Sequence, residues 1–202
     1  MQATKANSLS LSEVLNRRTM FQISVADIEG RLYQWKREYA DPAGQPFEIL
    51  GPVEAPGGPQ DPLNSGHQFP VFRCQDQSSG ALISPPTIAY PDSELARALC
   101  LYYGALLMVS FVDIRTEGGL LPHERYNIAC LICRSTEYFM RTTPNHSSRV
   151  TLSLRVAYDT FPEGGIERQW VQDMFQLIAK AEYLKVATSI GKRFSARANA
   201  SH

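Results

Sequence analysis

The chain has 202 residues, 44% of them hydrophobic, which is enough for one domain with a proper core. Twenty Lys and Arg balance twenty Asp and Glu, so the formal net charge is zero and the composition lacks the basic footprint of a free-standing nucleic-acid binder. Four cysteines, Cys74, Cys100, Cys130 and Cys133, sit mostly in apolar helical company, which suits reduced buried thiols and a reducing compartment better than a disulfide framework.

The first eight residues are polar and read as frayed. The opening 18 residues hold no apolar run of the kind a secretory signal needs, so the acceptor pattern Asn145-His146-Ser147 carries little weight. A short helix is expected over Ser10–Arg18 and a firmer one over Ser24–Tyr39. Ser24 is read as N-cap of the second, with Asp27 three residues on; Val25, Ile28, Leu32, Trp35 and Tyr39 then follow at 3, 4, 3, 4. Asp41-Pro42 ends it, because a residue before proline avoids helical geometry.

From Asp41 to Pro91 lie ten of the thirteen prolines and six of the thirteen glycines. That density excludes helix and central strand, and the expected state is a long irregular segment. Its middle, Gly51–Gly66, reads as disordered; Phe69–Phe72 and Thr87–Tyr90 carry apolar residues able to lie on a helical core.

The stretch Asp92–Ile114 is the centre of the pattern. Asp92 and Glu94 suit a helix N-terminus, and from Ala98 to Val112 there is no charge. Leu95, Leu99, Tyr102, Leu106 and Val109 form one apolar stripe. Ala98, Leu101, Ala105, Met108 and Val112 form a second, and two stripes predict a helix buried on most sides. The uncharged run covers about 22 Å as a helix, short for a bilayer, so a soluble core helix is expected. Glu117-Gly118-Gly119 stops it. Further helices are expected over His123–Arg141 (Ile128, Ile132, Ser135, Phe139), Ser148–Phe161 (Leu152, Val156, Ala157) and Ile166–Ile190 (Trp170, Met174, Leu177, Ala181, Leu184), with Pro144-Asn145 and Pro162–Gly165 as breaks and Gly191 as a stop. No strand pattern competes. The expectation is an all-α chain, an antiparallel helical bundle with a long Pro/Gly-rich irregular segment. Its parts are a flexible segment over 1–23, a helical domain over 24–194 containing the irregular 41–91, and a tail over 195–202.

Motifs of chemistry are sparse. Cys130-x-x-Cys133 has no second pair for zinc and no βαβ pattern for redox work, so it reads as two buried thiols on one helical face. His67, His123, His146 and His202 show no i, i+4 pairing and read as solvent residues, His123 being the one weighed as a general base. Glu137 lies between Arg134 and Arg141 and reads as an intrahelical ion pair; an acid–base role would need a second carboxylate such as Asp113 or Asp159. Neither Gly118-Gly119 nor Gly164-Gly165 has the setting of a phosphate loop. The basic residues of Lys180–Arg197 read as a solvated face.

Three segments carry a resemblance. They are AYPDSELARALCLYYG from Ala89, CLICRSTEYFM from Cys130 and LSLRVAYDTF from Leu152. Leu95-Ala96 with Tyr102-Tyr103, Ile132–Ser135 with Glu137-Tyr138, Leu154–Ala157, Glu163 and Trp170 together resemble the regulatory region of fungal-specific zinc-cluster transcription factors. The likeness runs over about Ser24–Gly191 and is strong from Ala89. It implies a non-catalytic regulatory domain in the nucleus or cytoplasm, serving a secondary-metabolite gene cluster. The implied partner is a second copy or a full-length zinc-cluster factor, with a small-molecule effector between helices as another route. It also implies a pocket or structural polar site at Arg134, Glu137, Tyr138 and Arg155. Three departures stand out. The family region is usually longer, with further helices before the part matched here, so the chain resembles its C-terminal portion alone. No cysteine precedes Cys74, so the six-cysteine zinc cluster is missing, and neither a bound metal or cofactor nor direct DNA reading is expected. Ser153 stands where the family has proline. The alternative class is an enzyme with a helical pocket, a cyclase or isomerase of a pathway intermediate, which would need polar groups converging on an enclosed cavity.

Overall fold

A computed structural model describes residues 10–50, 69–115, 118–142 and 150–180. The expectations that fall on residues 1–9, the middle of the Pro/Gly segment, Glu117, Pro144-Asn145, His67, His146 and everything from Ala181 onward lie outside the described residues.

The chain is mainly helical. Helix α1 spans Leu11–Trp35 and begins with a full capping box: the Ser10 hydroxyl accepts from the Glu13 amide, and the Glu13 carboxylate accepts from the Ser10 amide at 2.8 Å. The expected break before Ser24 is absent, and residues 11–23 are helix. No Gly or Pro separates Arg18 from Ser24, and Ser24 is an interior residue whose hydroxyl donates to the Met20 carbonyl at 3.0 Å. One turn of π-helix, Lys36–Ala40, and a short α2, Asp41–Ala43, carry the chain past Asp41 to Gly44. Gly44 has φ 130°, and a Cβ there would sit 2.7 Å from Pro91 Cγ, so only glycine fits the exit.

The described part of the Pro/Gly stretch holds four strands that the sequence reading missed. β1 (Phe47–Ile49) pairs antiparallel with β4 (Thr87–Ala89), Glu48 opposite Ile88. β2 (Cys74–Gln75) pairs with β3 (Leu82–Ile83) across a turn built on Asp76, whose carboxylate accepts from the Ser78 and Ser79 hydroxyls. Strands of two or three residues are too short to show a period of two, which is why alternation could not reveal them.

Helix α3 (Ser93–Val112) is capped by Asp92, whose carboxylate accepts from the Leu95 amide at 2.7 Å. α4 (Pro122–Thr142), α5 (Thr151–Thr160) and α6 (described over 166–180) follow. α3, α4 and α5 pack pairwise, α1 lies on α3, and β4 lies on α4. Two apolar clusters result. One gathers Leu107, Ile132, Phe139, Leu154, Phe161 and Met174 between α3, α4, α5 and α6. The other gathers Ile88, Tyr90, Leu95, Leu99, Tyr102 and Leu106, with Leu32 and Trp35 of α1 packed against it.

The first α3 stripe is buried as expected at Leu95, Leu99, Tyr102 and Leu106. The second is not. Leu101 and Met108 are each 41% exposed and Val112 45%. The second buried face is instead Ala96, Cys100, Gly104 and Leu107, rich in small residues. A Cβ on Gly104 would lie 2.8 Å from Ser153 Oγ and 3.3 Å from Ser153 Cα, so α5 sits directly on the α3 backbone there. The Ser153 hydroxyl donates to the Cys100 carbonyl at 2.9 Å across this contact. Leu152, expected inward, is 54% exposed, and Leu154 takes its place in the core. By length and composition α3 could cross a membrane, and half of that apolar window is buried inside the protein.

Leu106 is 3% exposed. Leu106→Ala is expected to destabilise by about 2–5 kcal/mol in denaturant unfolding, whereas Leu101→Ala on the outward stripe should stay within about 0.5 kcal/mol. Equal effects would contradict this assignment of the α3 faces.

Candidate functional site

Arg134, Glu137 and Tyr138 project from α4 toward the ribbon β1–β4. Arg134 Nε donates to the Pro86 carbonyl at 2.9 Å, and the guanidinium also pairs with Glu48 of β1. Glu137 bonds Arg141 one turn on at 3.0 Å, and its other oxygen accepts from the Thr87 hydroxyl at 3.1 Å. The Tyr138 hydroxyl donates to the Tyr90 carbonyl at 2.8 Å, while the Tyr90 hydroxyl shares a hydrogen with Ser135 Oγ at 2.5 Å. Burial pushes the Tyr90 and Tyr138 phenols above their ordinary range. Together these groups fasten the ribbon to the helix.

Arg155 is elsewhere. It lies on the exposed side of α5, bonded to Asp159 at 3.0 Å and over the Tyr158 ring, which Arg168 approaches as well. Asp113 is held by Arg115 at the end of α3. Both carboxylates considered as acid partners for Glu137 are thus engaged with other residues. His123 is exposed at the start of α4.

Beside the fastened ribbon is an open cleft of about 480 Å³, bounded by Ile49, Pro86, Thr87, Arg134, Glu137 and Arg141, with Phe72, Trp170 and Cys133 at its apolar side. Trp170 donates its ring N–H to the Pro70 carbonyl at 3.0 Å, which keeps its ring edge-on to Phe72. The cleft has the size of a small-molecule site. Its charged groups already bond one another or nearby backbone, so they do not converge on the space as a catalytic set would.

Two polar contacts escaped the sequence reading because each joins distant segments. Glu167 of α6 is 3% exposed; it accepts from the Tyr126 hydroxyl at 2.6 Å and from the Gln75 amide at 3.1 Å. Desolvation and this carboxylate push the Tyr126 phenol up. A hydrogen bond between the Cys74 and Cys130 thiols lowers the Cys74 thiol and raises that of Cys130; Cys133, fully buried, is raised by desolvation. All four thiols are free and buried, and among the described residues no group of His, Cys, Asp or Glu could hold a metal ion.

The other outstanding surface is apolar. On α1, Leu11, Val14, Leu15, Phe21 and Ile28 are about half or more exposed, and the outward α3 stripe continues through Phe111, Val112 and Ile114. A groove of about 550 Å³ between Leu15, Gln22 and Ala26 of α1 and Ile114 joins the two. Gln22 fixes this junction by donating to the Val112 carbonyl at 3.2 Å and accepting from the Ile114 amide at 3.1 Å. Arg115 bridges Glu29 of α1 and Asp113 beside it.

No protein-family model, curated protein or solved structure matches the chain.

Burial pushes the Cys100 thiol up to about 11. At pH 8 none of the four thiols should react with Ellman's reagent within seconds in the native protein, and all four should in denaturant; Cys74 is expected first as the β2–β3 pair opens. Rapid native labelling of Cys133 would contradict the packing. The Asp113 carboxyl is held below its ordinary value by hydrogen bonds from Arg115. A depressed carboxyl stabilises the fold fully above its unfolded value, about pH 4, and that contribution is lost as the pH falls through the lowered value. Asp113→Asn should therefore flatten the loss of melting temperature between pH 5 and pH 3.

Proposed function

We propose that the chain is a non-catalytic regulatory domain of the fungal zinc-cluster transcription-factor type, acting through a protein partner on the expression of a secondary-metabolite gene cluster. In this reading its helices form an antiparallel bundle flanked by the Pro/Gly-rich segment. The observation that carries the reading is the contrast between the two surfaces. The polar groups of the cleft are used up in fastening the β1–β4 ribbon, while a contiguous apolar face on α1 and α3 is left to solvent, the signature of an interaction surface. The sequence likeness from Ala89 onward supports the regulatory class, and zero net charge with no six-cysteine cluster supports action through a partner rather than through DNA contacts. The partner would be a second copy or a full-length zinc-cluster factor, met in the nucleus or cytoplasm; a small-molecule effector in the cleft is compatible with it. The second reading, a cyclase or isomerase, is favoured by the cleft's volume and aromatic side alone.

The test uses the native gene. Leu101→Glu with Met108→Glu alters only outward side chains and is expected to change transcript levels of the neighbouring biosynthetic genes as deletion does, while His123→Gln, at an exposed position, leaves them unchanged. Unchanged transcripts on deletion, with one pathway intermediate accumulating, would replace the regulatory reading by the enzymatic one.

A further inference from the structure

Two of the four thiols meet at a joint between distant segments. Cys74 lies on β2, Cys130 lies on α4, and both belong to the same apolar cluster. The joint is fastened beside them. The Gln75 amide donates to the Tyr126 hydroxyl at 2.9 Å and also reaches Glu167 at 3.1 Å. Tyr126 and Cys130 stand one turn apart on the same face of α4, so the neighbour of Gln75 faces the next turn. Phe72 packs edge-on to Trp170 and against Phe161, which is itself edge-on to Tyr126 at 5.5 Å. The segment from Phe72 to Gln75 is thereby laid along α4, and the Cys74 and Cys130 thiols share a hydrogen bond. These two are also the least buried of the four, 5% and 9% exposed against 3% for Cys100 and 1% for Cys133.

We infer that Cys74 and Cys130 form a reversible disulfide, a redox modification site that locks β2 onto α4. This goes beyond the regulatory reading and does not rest on it. Access comes from the weakness of the β2–β3 pair, which joins only Cys74 to Ile83 and Gln75 to Leu82. So short a ladder opens locally at low cost, and Leu82 and Ile83 already face solvent. Opening brings out Cys74, whose thiol the hydrogen bond with Cys130 holds below its ordinary value, so it is the nucleophile of the two. The oxidant is a hydroperoxide. The Cys74 sulfur attacks it, the O–O bond breaks, sulfur keeps one oxygen as the sulfenic acid, and the other oxygen leaves with the thiol proton as water. When the segment closes, the Cys130 sulfur attacks the Cys74 sulfur. The S–S bond forms, the S–O bond breaks, and the hydroxyl leaves with the Cys130 proton as a second water. Two electrons pass from the thiols to the peroxide. In a reducing compartment the pair rests as thiols and closes when an oxidant arrives. The consequence falls on the cleft. Phe69, Val71 and Phe72, just upstream of Cys74, line it together with Cys133 and Arg134 of α4. The disulfide ties that wall to the helix opposite.

The test treats the native full chain with excess hydrogen peroxide, unfolds it and labels the free thiols. All four cysteines should label before treatment and only Cys100 and Cys133 after it. Peptide mapping should give the Cys74–Cys130 link, and dithiothreitol should restore the original labelling. The link closes a long loop of the unfolded chain, so the oxidised protein should melt about 5 °C higher or more. Trypsin should cut after the exposed Arg73 about tenfold more slowly, because that cut needs the joint to open. In Cys130→Ser the sulfenic acid should persist on Cys74 and be captured by dimedone. Labelling of all four after treatment, a link joining another pair or two chains, or a disulfide that forms only in denaturant overturns the inference. Each of these is read on the wild type, so the test holds even where the serine variant does not fold.

Discussion

Gly104 is where α5 comes down onto α3. With no Cβ there, the Ser153 side chain sits over the helix backbone and reaches the Cys100 carbonyl. Close approach of this kind multiplies dispersion contacts and leaves no room for even one methyl group. It also sets the rotation of α3. Once the small-residue face Ala96–Cys100–Gly104 is turned to α5 and α4, the face Leu95–Leu99–Tyr102–Leu106 must meet α1 and the ribbon, and Leu101, Met108 and Val112 are left outside. The open apolar surface thus follows from the same packing that closes the core.

The polar residues of α4 obey a similar economy. Arg134, Glu137 and Tyr138 each bind a ribbon whose strands are three residues long, which could not hold itself against the core by strand pairing alone. Breaking one partner would leave the other half-buried and unsatisfied, a cost of about 1–3 kcal/mol. Groups committed in this way are poor acids, bases or ligands for a substrate. The described residues leave no buried side-chain nitrogen or oxygen without a partner.

What the sequence revealed depended on whether the signal was local. Asp92 as a cap, the stripe through Leu106, Phe139 on α4 and Trp170 on α6 all follow from residues within a few turns of one another. Ser24 misled because a serine before an apolar run has the same local appearance whether it starts a helix or bonds back to the preceding turn, and the continuous heptad through Leu11 and Phe21 was hidden by that break. Leu101 and Met108 misled for a different reason: apolar character does not say which side a neighbour occupies, and Gly104, the residue that decides it, reads as a weak point in a helix. The site fared worse. Glu137–Arg141 is visible at i, i+4, but Arg134–Glu48, Cys74–Cys130 and Tyr126–Glu167 span from 41 to 86 residues and have no signature in one sequence.

The geometry of α1 links these levels. Arg115 reaches Glu29 on α1 and Asp113 on its own strand of chain, with side chains between 5% and 24% exposed. Ion pairs this dry contribute little net stability, since desolvation offsets most of the attraction, but they are demanding in direction. Gln22 adds two backbone contacts about two turns away. Between them they fix the height and the rotation at which α1 leaves the body. A stub held at one end in this fashion loses less conformational entropy on docking than a free peptide would. Its exposed leucines and phenylalanine are thereby presented in a fixed orientation, and that makes them a defined surface rather than a frayed end.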